Sequence, residues 1–411
     1  MAETRDRRPA PAVKHVHVVG GGLAGLSAAV ALVQAGVAVT IYDSSPEAGG
    51  RCRSYFDREL GIRLDNGNHL VLSGNRDAFD FLDTIGARDT MVGPAEPVFP
   101  FMDLATGERW TVRPNRGRVP WWVLAPGRRV PGARLSHFLA AARMSKAGPD
   151  TTVAQALPHG ELYRRLLEPL AIAALNTPPA TASARLMGAV MDESLSRGGA
   201  ACRPMVPRDG LSESFVDPAL AWLAAHGATI RLGSRISAIA DLGLAADEGV
   251  VIATPAPIAA TLLPGLVVPD AFEAILNVHF RVSVGPGEAG FIGLLGGTAE
   301  WVFMKSDVVS TTISAGNDRA DLTGDALAQQ VWLDVHRALD VAGPMPPYRI
   351  VREKRATFAA TPAQDRRRPP ARTADPRVVL AGDWTATGLP ATIEGAIRSG
   401  RTAAKVLCHP S

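Results

Sequence analysis

The chain has 411 residues, of which 46% are hydrophobic and 20% are charged, and its formal net charge is +3. This length and composition are sufficient for two domains with a large core. The three cysteines, Cys52, Cys202 and Cys408, are widely spaced and form no CxxC pair. Neither a disulfide framework nor a zinc site is therefore expected, and a reducing cytoplasm is favoured. The basic cluster at 366–368 is typical of a solvated loop, and with no accompanying recognition motif we expect no nucleic-acid partner.

The N-terminal segment 1–13 is polar and rich in proline and arginine. It lacks the apolar core of a signal peptide. We expect a disordered lead-in to a cytoplasmic protein.

A βαβ unit is predicted over residues 15–43. Segments 15–19 and 37–42 have the composition of strands, and 23–35 that of an apolar helix ended by Gly36. The run between the first strand and the helix has the form G-x-G-x-x-G, which suits a pyrophosphate. Asp43 directly follows the second strand, at the position where a carboxylate accepts hydrogen bonds from ribose hydroxyls in such units. The predicted dinucleotide-binding residues here are Gly20, Gly22, Leu23, Ala24, Gly25, Asp43 and Ser44.

A second glycine motif, Gly49-Gly50-Arg51, follows the ribose carboxylate. Its backbone N–H groups and its guanidinium suit a diphosphate that extends beyond the reach of the first loop. Because simple nicotinamide dehydrogenases do not need this second motif, it favours FAD over NAD.

The segment 119–144 contains adjacent tryptophans, Trp121 and Trp122, nearby arginines and a short amphipathic helix at 135–144. These features are typical of a surface that lies on a membrane interface. The alternative, that both tryptophans belong to the core or to a lid, stays open. The apolar stretch 250–269 is interrupted by four prolines, which argues against a membrane-spanning helix.

Strands are predicted at 228–232, 235–239 and 250–254, and a last strand at 378–381 ends in Gly382 and Asp383. A helix is expected after Pro390. Asp383 is suited to bind a ribityl hydroxyl, and the free N–H groups at Thr392 and Ile393 to face the pyrimidine edge of a flavin. Glu394 either complements the dipole of its own helix or contacts the flavin.

Together and in this order, the Gly-rich loop, the Gly-Gly-Arg motif and the Gly-Asp motif resemble the flavin amine oxidase and phytoene desaturase superfamily. The segments 64–75 and 170–179 look like those of squalene-associated FAD-dependent desaturases, the hydroxysqualene dehydroxylases, and the likeness spans 14–404. It implies an α/β fold: a Rossmann-like FAD-binding domain with a discontinuous α+β substrate domain. The implied FAD domain comprises 14–76, 205–262 and 374–411, and the substrate domain 77–204 and 263–373.

The resemblance also implies the remaining cofactor contacts and the reaction. By this resemblance, Ile236 lies at a position that belongs to the adenine-side sheet of the family. The segment 66–69 lies at a position where the family's chain passes the isoalloxazine ring. The implied reaction is reductive removal of the hydroxyl of hydroxysqualene by hydride from reduced flavin, with a hydrophobic triterpene taken from the cytoplasmic face of the membrane. The additional cofactor-binding residues are Gly49, Gly50, Arg51, Asn66, Gly67, Asn68, His69, Ile236, Gly382, Asp383, Thr392 and Ile393.

The departing hydroxyl needs a proton, and histidine is well matched to donate it. His69 is the predicted donor, with Asn66 and Asn68 orienting it or binding the hydroxyl. A structural role for His69 is the alternative. The other histidines that we considered, His15, His17, His226, His279 and His336, lack metal-ligand spacing, and no metal site is expected.

Three alternatives to a dehydroxylase stay open at this point. A polyene desaturase would use the same flavin in the opposite direction. An amine oxidase fits less well, because the segment 384–387 does not resemble the aromatic cage of those enzymes. A prenyl-binding escort protein of the GDP-dissociation-inhibitor type would bind no flavin. The electron donor is not evident from the sequence.

Overall fold

The computed structural model describes residues 13–319 and 324–409, so the predicted disorder of 1–13 lies almost wholly outside the described residues. The strands are β1 His15–Val19, β2 Ala38–Tyr42, β3 Ser54–Asp57, β4 Ile62–Asp65, β5 Val71–Leu72, β6 Met91–Val92, β7 Phe99–Asp103, β8 Arg109–Val112, β9 Pro204–Pro207, β10 Thr229–Arg231, β11 Glu248–Ile252, β12 Phe272–Phe280, β13 Phe291–Leu295, β14 Trp301–Lys305, β15 Val308–Ile313, β16 Tyr348–Phe358 and β17 Val378–Leu380. The helices are α1 Leu23–Gln34, α2 Arg76–Thr84, α3 Leu135–Ala141, α4 Val153–Ala156, α5 Glu168–Leu175, α6 Ala184–Glu193, α7 Asp217–Ala225, α8 Ala256–Leu262, α9 Gly324–Leu339, α10 Pro362–Asp365 and α11 Ile393–Cys408.

A five-stranded parallel sheet is built from both ends of the chain and its middle, in the order β10-β2-β1-β11-β17. Its strands are apolar because both faces are covered. Helices α1, α7 and α11 pack together on one face with the buried side chains of Val16, Val18 and Val251. Gly400 lets α11 approach α1 closely, since a Cβ there would lie 2.2 Å from the Ala24 carbonyl oxygen.

The predicted strand at 235–239 is wrong. Residues 233–238 form no strand, and a 3-10 turn follows at Ile239–Leu242. The backbone N–H groups of Ser237 and Ala238 donate to the Asp241 carboxylate, at 3.3 and 2.9 Å, instead of to a neighbouring strand. An acidic side chain four and three residues ahead therefore competes successfully with sheet formation.

A second, seven-stranded sheet has the order β16-β12-β15-β14-β13-β7-β8. All neighbours are antiparallel except β13 and β7, which run parallel. Helix α9 packs against one face around the buried Trp332 and Phe280. Five of its strands, β12 to β16, follow residue 270, and the domain boundaries implied by the resemblance stay a prediction.

The two tryptophans of the segment 119–144 have different environments. Trp122 is buried and packs edge-on against Phe138, with the ring centroids 5.5 Å apart. Trp121 is 50% exposed, and the Arg128 guanidinium lies 5.1 Å from its ring centroid. Trp122 therefore belongs to the core and Trp121 does not, and membrane contact through this segment stays a prediction. Across the described residues, no helix is both long and apolar enough to span a bilayer.

Candidate active site

The first glycine loop joins β1 to α1 at the carboxyl end of the parallel sheet, where such sheets bind their ligands. Gly20 has φ +115°, and a Cβ there would lie 2.5 Å from the Ala253 carbonyl oxygen. A Cβ on Gly25 would lie 1.9 Å from the Gly20 oxygen, so only glycine permits this turn. A Cβ on Gly22 would face open space, with its nearest neighbour, the Gly49 oxygen, 4.0 Å away.

The open space beside Gly22 lies at the positive end of α1. No side chain caps this helix, and its first turn contains no acidic residue. Its first N–H groups are thus available to an anion. Asp43 follows the neighbouring strand β2, and its carboxylate accepts the N–H groups of Gly21 and Ser45 at 2.7 and 2.8 Å. The two predicted elements, a phosphate cradle and a ribose acceptor, are therefore adjacent.

The second glycine motif packs directly on the first. The Gly49 N–H donates to the Gly21 carbonyl at 2.8 Å, and Gly22 and Gly49 form an isolated parallel bridge. Gly50 has φ +58°, a left-handed conformation that favours glycine. Two backbone loops therefore face one open space, as a pyrophosphate requires.

Arg51 joins this cradle to the C-terminal motif. Its guanidinium donates two hydrogen bonds to the Asp383 carboxylate, at 2.8 and 2.7 Å, and a further one to the Ala356 carbonyl. The negative charge of the Asp383 carboxylate raises the pKa of Arg51. Burial of the guanidinium lowers this pKa, but the effect of the carboxylate is larger. Gly382 beside it donates its N–H to Ser399 at 2.8 Å, which fixes β17 against α11.

The N-terminus of α11 lies next to this pair in the chain, and Thr392 caps it by accepting the Gly395 N–H at 3.0 Å. Glu394 lies in the first turn of α11, where it complements the dipole of its own helix as one of the two predictions has it, and it has a further role that the sequence did not reveal. Its buried carboxylate accepts the N–H groups of Asp77 and Ala78, at 3.1 and 2.8 Å, and so caps helix α2.

Arg368 corrects another prediction, that the cluster 366–368 is solvated. Its side chain is buried and donates to the Asp383 carbonyl at 3.2 Å and to Thr387 at 2.7 Å. The guanidinium also lies 4.9 Å from the ring centroid of Phe358. Arg368 therefore holds the backbone of the C-terminal Gly-Asp motif in place through the Asp383 carbonyl.

The segment 65–69 is held between the start of β3 and the seven-stranded sheet. Asn66 is buried, and its backbone N–H donates to the Arg53 carbonyl at 2.9 Å. Asn68 donates from its amide to Thr312 Oγ1 at 3.1 Å and to the Thr311 carbonyl at 3.3 Å, on β15. The predicted residues Asn66 to His69 therefore lie where the segment after the Gly-Gly-Arg motif meets the seven-stranded sheet.

His69 is close to a partly buried ion pair that the sequence did not reveal. Lys305 at the end of β14 donates to Asp65 at 2.6 Å, and Asp65 also accepts from the Leu211 N–H and the Ser54 hydroxyl, at 2.8 and 2.7 Å. Burial alone would raise the pKa of Asp65, but the Lys305 ammonium and these hydrogen bonds outweigh it and lower the pKa. No local sequence motif contains Lys305. Its position at the end of a strand is the only signal that could have indicated a role.

Burial lowers the pKa of His69 to about 4, although the Asp65 carboxylate opposes the shift. The imidazole is therefore neutral at pH 7, which differs from the near-neutral ionisation that we expected for a histidine donor. Beside it is a cavity of about 20 Å³, lined by Asp65, Asn68, His69, Val206, Pro207, Gly290, Phe303, Met304 and Lys305. A volume of this size holds about one water molecule.

The predicted cofactor residues of the two glycine motifs and the Gly-Asp motif thus lie at the carboxyl end of the parallel sheet and beside the start of α11, whereas 66–69 lie at the seven-stranded sheet. Ile236 lies apart from any strand, half-buried, two residues after Ser234, whose N–H donates to the Asp43 carbonyl at 2.7 Å. Because the glycine loops leave open space beside unpaired helix N–H groups, the residues present fit an FAD pyrophosphate.

Comparisons with known proteins agree with this geometry. A family model described as flavin containing amine oxidoreductase matches residues 23–285 and 295–408. A hydroxysqualene dehydroxylase of Sinorhizobium fredii is 46% identical over 406 residues, covering 95% of this chain and 97% of that protein. Another, from Rhodopseudomonas palustris, is 42% identical over 410 residues, covering 96% and 98%.

Among solved structures, cyclohexylamine oxidase from Brevibacterium oxydans superposes with a TM-score of 0.66 at 16% identity, covering 96% of this chain and 99% of that one. At this identity the likeness establishes the fold alone. The α/β fold predicted from the sequence is confirmed.

Proposed function

The chain belongs to the flavin containing amine oxidoreductases and, within them, to the hydroxysqualene dehydroxylases, and on this premise we propose that it reductively removes the hydroxyl group of hydroxysqualene to give squalene. It is an FAD-dependent oxidoreductase. The observation that carries the proposal is that 42–46% identity extends over 94–96% of the chain, through both sheets rather than the nucleotide motifs alone. The relatives do not favour the desaturase, amine-oxidase or escort-protein alternatives.

The reaction replaces a C–OH bond by a C–H bond and releases water. Bound FAD in its reduced form supplies the hydride. The protein has to supply a proton to the departing oxygen, because hydroxide is a very poor leaving group, and it has to exclude bulk water from the developing allylic cation.

The cavity beside His69 suits the departing oxygen. Its volume of about 20 Å³ is that of a single water molecule, which is the product that leaves. Its lining includes polar and charged side chains, and Val206 and Phe303 contribute apolar surface. We assign His69 as the donor of the proton to this oxygen, with Asn68 as a further hydrogen-bonding group and the Lys305–Asp65 pair as the adjacent charged group.

The proposed reaction is tested by anaerobic incubation of the photoreduced enzyme with hydroxysqualene and, separately, of the oxidised enzyme with phytoene. We expect hydroxysqualene to reoxidise the flavin and to yield one squalene per flavin. The oxidised enzyme with phytoene should yield no desaturated product. Desaturation of phytoene without conversion of hydroxysqualene would overturn the proposal.

A hydrophobic substrate implies a lipid source, and the segment 119–144 is suited to reach one. The described residues include ten exposed large hydrophobic side chains, and five of these fall in this segment, namely Val119, Trp121, Leu124, Leu135 and Leu139. The surrounding stretch 109–149 contains nine Arg and Lys residues and no Asp or Glu, although the net charge of the chain is only +3. Two of these cations, Arg113 and Arg116, pair with glutamates from outside the stretch. Exposed apolar side chains in a stretch rich in cations favour an anionic membrane surface. We therefore propose peripheral attachment through this segment.

Replacing both Trp121 and Leu124 with serine should lower flotation with phosphatidylglycerol liposomes by about 10-fold or more, because each loses an apolar side chain worth about 1.5–3 kcal/mol when buried. The flavin spectrum should stay unchanged, since both side chains are exposed. Val267→Ser with Leu333→Ser, two exposed positions elsewhere, is the matched control. Equal flotation of the two double variants would refute attachment through this segment.

A further inference from the structure

Two histidines and a glutamate converge on one face of the parallel sheet, away from the glycine loops. His15 and His17 alternate along β1, so their side chains lie on the same face. Glu248 at the start of β11 is the register partner of His15. The three side chains present ligand atoms that all lie within 4.8 Å of one another.

Two of the separations among these atoms are close to those in a coordination shell, and the shorter one is also a hydrogen bond. His15 Nδ1 lies 3.0 Å from Glu248 Oε1, and His17 Nε2 lies 3.5 Å from Glu248 Oε2. Two ligands of a tetrahedral zinc ion, each about 2.0–2.1 Å from the metal, are separated by about 3.3 Å. The two measured separations bracket this value.

The opposite nitrogen of each imidazole is held by a hydroxyl on the neighbouring strand β2. His15 Nε2 lies 3.0 Å from Thr40 Oγ1, and His17 Nδ1 lies 3.2 Å from the Tyr42 hydroxyl. In metal sites, a partner on the outer ring nitrogen fixes the tautomer and directs the other nitrogen toward the ion. Both rings are therefore oriented as ligands to a common point.

The nitrogen of His17 that faces this point is unsatisfied. Nε2 is buried and forms no hydrogen bond within the described part of the chain, and the whole side chain is only 9% exposed. Its 3.5 Å contact with Glu248 Oε2 is not a hydrogen bond, and a buried polar atom without a hydrogen bond is costly. His15 and Glu248 are 26% and 23% exposed, so an ion has a path from solvent to the unsatisfied atom.

We propose that His15, His17 and Glu248 bind a divalent transition-metal ion such as Zn²⁺. Imidazole nitrogens and a carboxylate form the ligand set that such ions prefer, and water would complete the coordination. The third ligand is 231 residues beyond His17, which is why the sequence alone predicted no metal.

The site has a structural role, because it lies at the amino ends of the strands. At about 3.3 Å per residue, His15 is about 16 Å from Gly20 and the pyrophosphate cradle. A bound ion would join β1 to β11 and so tie an N-terminal strand to one from the middle of the chain. We expect it to change stability rather than flavin chemistry.

The test uses the flavin-loaded protein, stripped with a chelator and titrated with Zn²⁺ by calorimetry. We expect one equivalent to bind, and Tm to rise by about 3 °C when free zinc is 100 times Kd. Glu248→Gln and His17→Asn should weaken binding by at least about 100-fold. Thr40→Val, which keeps all three ligands but removes a partner of His15, should weaken it by about 10-fold.

His226→Asn, at an exposed histidine elsewhere, is the control and should bind zinc as the wild type does. Flavin content reports folding in each variant. Absence of zinc, nickel and cobalt binding by the wild type would overturn the proposal, leaving only a histidine–glutamate ion pair. Equal binding by wild type and Glu248→Gln would also overturn it, because the ion would then be bound elsewhere.

Discussion

The Gly22→Val protein should purify folded but colourless. Gly22 has φ −76° and ψ 178°, a conformation that valine adopts readily, and a Cβ there meets no atom closer than 4.0 Å. The substitution is therefore compatible with the protein but fills the space beside the N-terminus of α1 where the pyrophosphate binds. We expect FAD affinity to fall by at least about 100-fold, which corresponds to about 2.8 kcal/mol.

Gly285→Val is the matched control, since a Cβ at this glycine also faces open space and its φ is not in the left-handed region. It should retain FAD, measured as flavin released on denaturation. Gly25→Val is not informative, because a Cβ there would collide with Gly20 and disrupt the turn itself. A yellow Gly22→Val protein with wild-type flavin content would mean that the pyrophosphate lies elsewhere.

The His69→Ala protein should keep its FAD and slow the oxidation of reduced flavin by hydroxysqualene by about 10²–10⁴-fold, the scale of lost general-acid catalysis. Because burial lowers the pKa of His69 to about 4, the imidazolium fraction falls about tenfold for each pH unit above that value. The wild-type rate should accordingly decrease as pH rises from 5 to 8, and His69→Ala should lose this dependence. Stopped-flow absorbance of the flavin measures both.

His69→Gln keeps a hydrogen-bond donor without a proton to transfer, so it should rescue little. Lys305→Met tests the adjacent ion pair, with Tm as a check because it leaves the Asp65 carboxylate unpaired. If His69→Ala turns over at the wild-type rate and Lys305→Met does not, the proton comes from the Lys305–Asp65 pair. His69 would then be structural.

The elements that local sequence specifies were predicted well. The strand His15–Val19 has its predicted bounds, and α1 ends one residue early, before the left-handed Gly36 with φ +81°. Here apolar periodicity, glycine turns and strand composition agree with one another over short distances. The strand at 235–239 failed where one side chain, Asp241, changed the local hydrogen bonding.

Contacts between residues far apart in the sequence were not predictable from pattern. Asp65 and Lys305 are 240 residues apart, and Glu394 caps a helix that begins more than 300 residues earlier. Arg366, Arg367 and Arg368 look alike in the sequence, yet only Arg368 is fully buried. Which arginine is buried depends on the tertiary position of the Asp383 carbonyl, and one sequence contains no local signal for that.

The ion pair between Arg51 and Asp383 also bears on how the protein is made. About 360 residues separate Gly20 from Asp383, so at 5–20 residues per second a ribosome needs roughly 20–70 s between the two. During that interval the nascent chain already contains the pyrophosphate cradle but lacks the carboxylate and the helix end that complete it. We therefore expect stable FAD binding only after synthesis of the C-terminal segment, and a chain truncated before Asp383 should purify without FAD.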